Sequence, residues 1–166
     1  MNNHFTELPV ATRDGIFLAH YSETGLSELN FPKAGAAPCA DQTPPRSVPA
    51  KIRAWHRTTT DALKKILAGR EPNEFPPLDL EGTEFQKSVW NALRKIPLGK
   101  TKSYGEIAAA IGRPKSVRAV GGACGANPVP VLVPCHRVLA ANKKLGGFSG
   151  GLDWKRRLLA REGIKF

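Results

Sequence analysis

The sequence predicts a mixed α/β (α+β) fold in two lobes. The first is a small antiparallel sheet with one helix; the second is mainly helical, with a helix-turn-helix and a strand bearing a cysteine. Three observations carry this. GIFLAHY (15–21) and GLSELNF (25–31) are short strand-like runs joined by the turn-forming Ser22, Glu23 and Thr24. Apolar residues then recur at helical spacing, first as Ile52, Trp55, Thr59, Leu63 and Ile66, later as Phe85, Val89, Leu93 and Ile96. Finally, two short helical segments meet across GRP (112–114).

The first lobe is assigned to residues 1–78 and opens on the hairpin. FPKAGAAPCADQTPPRSVPA (31–50) is rich in proline and small residues and reads as a loop. The helix over 52–66 stops at Gly69, and EPNEFPPLDLEG (71–82) runs extended. His4, His20 and His56 are isolated and are expected to be surface or hydrogen-bonded histidines. This half reads as support.

The second lobe, 79–166, is denser in signals. TEFQ (83–86) and SYGE (103–106) both have the S/T-x-x-E/Q form of a capping box. Pro97 closes the first of these helices, and IAAAIG forms the second. Pro114 suits the first turn of a following helix, KSVRAVGGACGAN, with Val117 and Val120 facing the core. A plain helical hairpin gives the same pattern. The composition of that helix is unusual, because each interior glycine (121, 122, 125) costs about 1 kcal/mol relative to alanine. Such a low surface admits close approach to the backbone, by another helix or by a nucleic-acid groove, and Arg118 projects from it. The last helix, DWKRRLLAREG (153–163), is read with Asp153 as N-cap and Gly163 as C-cap.

Charge favours the groove. Residues 79–166 hold 16 Lys and Arg against 6 Asp and Glu, whereas residues 1–78 hold 9 against 8. Cationic surface gathered in one half is the footprint of a polyanion-binding face. Three widely spaced cysteines without a CxxC pair argue against a disulfide scaffold and point to a reducing, cytoplasmic setting. No run reaches the roughly 18 apolar residues of a membrane span, and MNNHFTELPV lacks the form of a signal peptide.

Within VLVPCHRV (131–138) an apolar run leads to Cys135, followed at once by His136 and Arg137. Two cations beside a cysteine favour its thiolate, and a histidine can take the thiol proton. Adjacent residues on a strand face opposite ways, so a bridging water suits that transfer. Glu162 is the candidate to orient the imidazole, by the logic of a catalytic triad. RVLAANKKLGGFSGGL (137–152) has the glycines to shape one wall of a pocket around a flat ligand.

PCHRV (134–138), preceded by RAVGGACGANPVPVLV (118–133) and followed by GGFSGGLDWKRRLLAREG (146–163), resembles the O6-alkylguanine-DNA alkyltransferases. These are also called methylated-DNA–protein-cysteine methyltransferases. GTEFQKSVWNALRKIPLGKTKSYGEIAAAIGRPKSVRAV (82–120) fits the same pattern, so the likeness covers essentially all of 80–163. It implies double-stranded DNA containing O6-alkylguanine as partner, bound through the minor groove, a flipped base, and no cofactor. It implies that Cys135 is alkylated once and irreversibly, with His136, Glu162, Asn127 and Tyr104 as its catalytic companions. Arg118 would fill the space left by the base, and Lys115, Ser116, Ala119, Gly122 and Ala123 would join it and Tyr104 on DNA. Val138, Ser149, Phe148, Pro130 and Gly146 would form the base pocket, with the Cys135 and Val138 backbone reading the exocyclic amine. Phe148 stands where many relatives carry tyrosine, so a hydroxyl contact is lost there while stacking is kept. No metal site can be assembled from His4, His20 and Cys39, and Cys124 reads as a small helix residue. A monomer is expected. Two alternatives compete: a Cys-His hydrolase, which has no use for the basic helix-turn-helix, and a lesion sensor without chemistry, which would lack the cysteine.

Overall fold

The computed structural model describes residues 5–34 and 43–165; His4 and Cys39 lie outside them. Three antiparallel strands, β1 (Thr6–Thr12), β2 (Gly15–Tyr21) and β3 (Leu26–Asn30), lie in sequence order as a meander. The expected hairpin is β2–β3, with a register shift at His20/Tyr21. The additional strand β1 was hidden by Pro9, which removes a ladder donor. It is tolerated because β1 is an edge. Leu8, Val10, Phe17, Ala19 and Tyr21 alternate onto the buried face.

α1 (Ala50–Leu67) buries Ile52, Thr59, Leu63 and Ile66 as its periodicity predicts. His56 is buried too: its Nε2 donates to the Pro9 carbonyl (3.1 Å), and its Nδ1 accepts from the Tyr21 hydroxyl (2.8 Å). Burial holds this imidazole's pKa below the ordinary value, consistent with a neutral ring. The helix stops at Gly69, where φ is +72°. A Cβ there would stand 2.1 Å from the Arg161 carbonyl oxygen, so only glycine lets the lobes meet.

Both capping boxes form. Thr83 and Gln86 cap α2 (Glu84–Leu93), and Ser103 and Glu106 cap α3 (Tyr104–Ala110). α2 turns Val89, Trp90 and Leu93 into the core, and the Trp90 indole donates to the Ala123 carbonyl (2.8 Å). Pro114 falls in the turn rather than in the next helix. The Ser116 amide bonds Arg113 (2.9 Å), and α4 runs only from Val117 to Gly125. Val120 is buried but Val117, at the first position of α4, is 42% exposed and lines the cavity above Cys135 instead of the core. α5 (Leu152–Arg161) begins one residue before Asp153, which sits in its first turn; Gly151 is the N-cap, and Glu162 and Gly163 end the helix.

Two parallel two-residue strands place the site. β4 (Lys102–Ser103) pairs with β5 (Val138–Leu139), tying the start of α3 to the chain just after Cys135.

Candidate active site

Every residue from Val129 to Leu139 is buried. Val131 turns the chain with φ at +74°, and Asn127 straddles that turn. Its Nδ2 donates to the Val133 carbonyl (2.8 Å), and its Oδ1 accepts from the Val129 amide (3.0 Å). Asn127→Ala would strand two buried backbone groups, so a loss of about 2–4 kcal/mol is expected in denaturant unfolding.

Cys135 does not lie on a strand. Residues Cys135–Arg137 form one 3₁₀ turn, closed by the Arg137 amide on the Pro134 carbonyl (3.0 Å), before β5 begins. The turn directs the three side chains into different surroundings. His136 Nε2 lies 2.8 Å from Glu162 Oε1, and both side chains are essentially inaccessible. Arg137 grips the same carboxylate, Nε to Oε2 at 2.9 Å and an NH2 to Oε1 at 2.9 Å, and donates to the Ile96 carbonyl (2.7 Å). His136 Nδ1 is buried without a protein partner.

These contacts overturn the expectation that neighbouring cations keep the thiol ionised. Arg137 is committed to Glu162, and burial lowers the pKa of His136, favouring the neutral ring. Burial pushes the Cys135 thiol up to about 11, opposed by Asn127, by Lys155 and by nearby amides. At rest the site therefore holds a thiol. Glu162 is the reverse: despite burial, its bonds to His136 and Arg137 hold it down to about 2. It is the anion of the cluster.

The cation whose charge acts on the thiol is Lys155, which the sequence reading missed. Its side chain is fully buried, with Nζ donating to the carbonyls of Val138 (2.7 Å) and Gly147 (3.1 Å). Spacing on α5 places it beside Leu158 and Leu159, but a lysine there looks like surface until the fold covers it.

Above Cys135 opens a cavity of about 800 Å³. Arg118, Gly121 and Cys124 of α4 line one side; Gly147, Phe148 and Ser149 line the other, with Tyr104 beside them. Burial raises the Tyr104 pKa, so its hydroxyl is a donor at neutral pH. Three expected pocket residues stand elsewhere. Pro130 lines a neighbouring hollow with Asn127 because the Val131 turn carries it away. Val138 is fully buried in the β4–β5 pair, with its carbonyl engaged by Lys155. Gly146 backs the wall, its α-carbon side against the Tyr104 hydroxyl.

On α4 and its approach, Lys115, Arg118, Ala119 and Gly122 are exposed, and Ser116 is half-exposed. Ala123 points inward and is 3% exposed, so it does not reach the outer face. A Cβ on Gly121, Gly122 or Gly125 would meet nothing within 4 Å. No part of the described protein uses this low surface, leaving it open to an outside partner.

A helix-turn-helix whose second helix borders a cavity floored by a buried cysteine, with a His–Glu pair behind it, defines a DNA-binding group-transfer protein. The family model for the 6-O-methylguanine DNA methyltransferase DNA-binding domain matches residues 84–164. A methylated-DNA–protein-cysteine methyltransferase of Methanosarcina acetivorans is 53% identical over 149 residues, 90% of this chain and 92% of that protein. One from Mycolicibacterium paratuberculosis is 60% identical over 103 residues, 61% of this chain and 62% of that one. The crystal structure of Mycobacterium tuberculosis OGT in complex with DNA superposes with a TM-score of 0.75 at 37% identity, covering 93% and 90% of the two chains. The chain belongs to the methylated-DNA–protein-cysteine methyltransferase family.

Proposed function

We propose that this protein repairs DNA by moving the alkyl group of O6-alkylguanine, and of O4-alkylthymine, onto Cys135. The observation that carries this reading is the buried thiol at the floor of a cavity bordered by the open face of α4. Residues 79–166 form the DNA-binding and transfer unit, and residues 1–78 support it. Lys115, Ser116, Arg118, Ala119 and Gly122 meet the duplex, and Arg118 takes the place of the base that turns into the cavity. His136 accepts the thiol proton through a water at Nδ1, held in place by Glu162 at Nε2. The sulfur then attacks the alkyl carbon in line. As the S–C bond forms, the C–O bond breaks and its electron pair stays on the guanine, which Tyr104 steadies by donating to a ring nitrogen. The Cys135 carbonyl reads the exocyclic amine.

The thioether has no labile bond, so each molecule acts once, without a cofactor. A hydrolase would turn over, and a sensor would bind without gaining mass. Incubation with duplex carrying O6-methylguanine should add one methyl to the Cys135 peptide, saturating at one per protein. Lesion binding without mass gain would overturn the transfer.

Arg118→Ala should weaken repair of duplex DNA about 10-fold or more while reaction with a free alkylated base stays largely intact. Equal loss on both would remove Arg118 from base replacement. Binding should also fall steeply with salt, log K dropping by about 0.9 per neutralised phosphate for each tenfold rise. A flat response would place DNA on another face. Among the described residues no helix is long and apolar enough to cross a membrane, and we place the protein in the cytoplasm as a monomer.

A further inference from the structure

We infer that Phe31, a residue of the N-terminal lobe, sets the width of the alkyl pocket and so determines which alkyl groups the protein accepts. This rests on the transfer reaction proposed above. The cavity wall at 147–149 belongs to a stretch with no helix or strand between Lys144 and Gly151. Lys155 holds the Gly147 carbonyl and the Gly151 amide holds that of Phe148, so the position of the Phe148 side chain depends on what backs it. What backs it is an aromatic stack reaching across from the sheet. The Phe31 ring meets Phe148 edge-on (centroids 5.7 Å apart, planes at 72°) and lies 5.0 Å from Trp154 and 5.5 Å from Phe17. Phe17 in turn meets Trp154 edge-on at 5.6 Å, fixing the stack between β2 and α5. Edge-to-face contacts of this kind hold rings in defined places.

The fit is tight where Phe31 meets Gly150, beside the hollow that both residues line with Ser149. A Cβ on Gly150 would stand 2.5 Å from the Phe31 ring, so not even a methyl group can enter between them. The same three residues 147–149 face the cavity on the other side. The Phe31 and Phe148 rings are half-buried, so a change in volume behind the wall reaches the pocket through the direct contacts of Phe31 with Phe148 and with Gly150. Removing the Phe31 ring lets Phe148 fall back and widens the pocket. Adding a methyl at Gly150 pushes the wall forward and narrows it. Phe148 has no hydroxyl to anchor itself by a hydrogen bond, which leaves ring packing as its restraint.

The test is the ratio of single-turnover transfer rates to Cys135 from two duplexes, one with O6-benzylguanine and one with O6-methylguanine. Phe31→Ala should raise the benzyl-to-methyl ratio about tenfold, and Gly150→Ala should lower it by a similar factor. The double variant should return to within about threefold of wild type, because the new methyl occupies space that the ring vacated. Phe31→Leu, which preserves most of the buried volume, should rise less than Phe31→Ala and guards against a folding failure. Ratios unchanged in all variants, with transfer intact, would overturn the inference alone. Absence of transfer to wild-type Cys135 from either duplex would overturn the proposed function and the pocket assignment with it.

Discussion

Glu162→Gln is expected to cost about 3–5 kcal/mol of stability at pH 7 and to slow alkyl transfer by about 10²–10⁴. The carboxylate is the single anion serving two buried partners, His136 at 2.8 Å and the Arg137 fork at 2.9 Å. Glutamine keeps the shape but removes the charge, so Arg137, 7% exposed, is left buried without a counter-ion. Thermal midpoints should fall by roughly 10 °C. The pH dependence identifies the cause. A carboxylate held down to about 2 in the folded state, against an ordinary 4.5, contributes stability that is complete above pH 4.5. That contribution drains away as pH falls from 4.5 towards 2. The gap between wild type and Glu162→Gln should therefore close over that window. A gap that stays constant down to pH 2.5 would show that the charge is not what stabilises the cluster.

His136→Gln should lower the transfer rate at pH 7 by about 10²–10⁴, with a different pH profile from wild type. The reason is the state of the nucleophile. With the Cys135 thiol at about 11, only about one molecule in 10⁴ is ionised at pH 7. In the proposed mechanism a neutral imidazole takes the proton and removes that deficit, so the wild-type rate should vary little between pH 7 and 9. The variant retains a donor to Glu162 but lacks a base, so its rate should climb about tenfold per pH unit towards 11. Rapid-quench transfer from O6-methylguanine duplex between pH 6 and 10 measures both. Parallel profiles would remove His136 from the proton path.

Local features were legible because they are set by near neighbours in the chain. Thr83 with Gln86 and Ser103 with Glu106 are three residues apart, and both capping boxes form as read. The stripe Ile52, Thr59, Leu63 and Ile66 names the buried face of α1 for the same reason. β1 escaped notice because Pro9 argues against a strand unless the strand is known to be an edge. The pair β4–β5 escaped because two residues carry no periodicity, and their pairing spans from Lys102 to Val138. Ala123 reads as one more small residue on a smooth helix, and only the packing of α2 on α4 turns it inward.

By itself the sequence determined the cysteine with its histidine, the low glycine-rich helix with Arg118, the basic second lobe and the family these residues resemble. All are matters of residue type and short spacing. The tertiary structure alone decided the state of the thiol. Whether a cation beside Cys135 in the chain acts on it depends on what else that cation meets. Arg137 finds Glu162, 25 residues away, while Lys155, 20 residues away, bonds the Val138 carbonyl and acts as a charge on the thiol instead. Charge acts through space and is governed by burial, so the electrostatics of the site came into being only when α5 folded against the turn at Cys135.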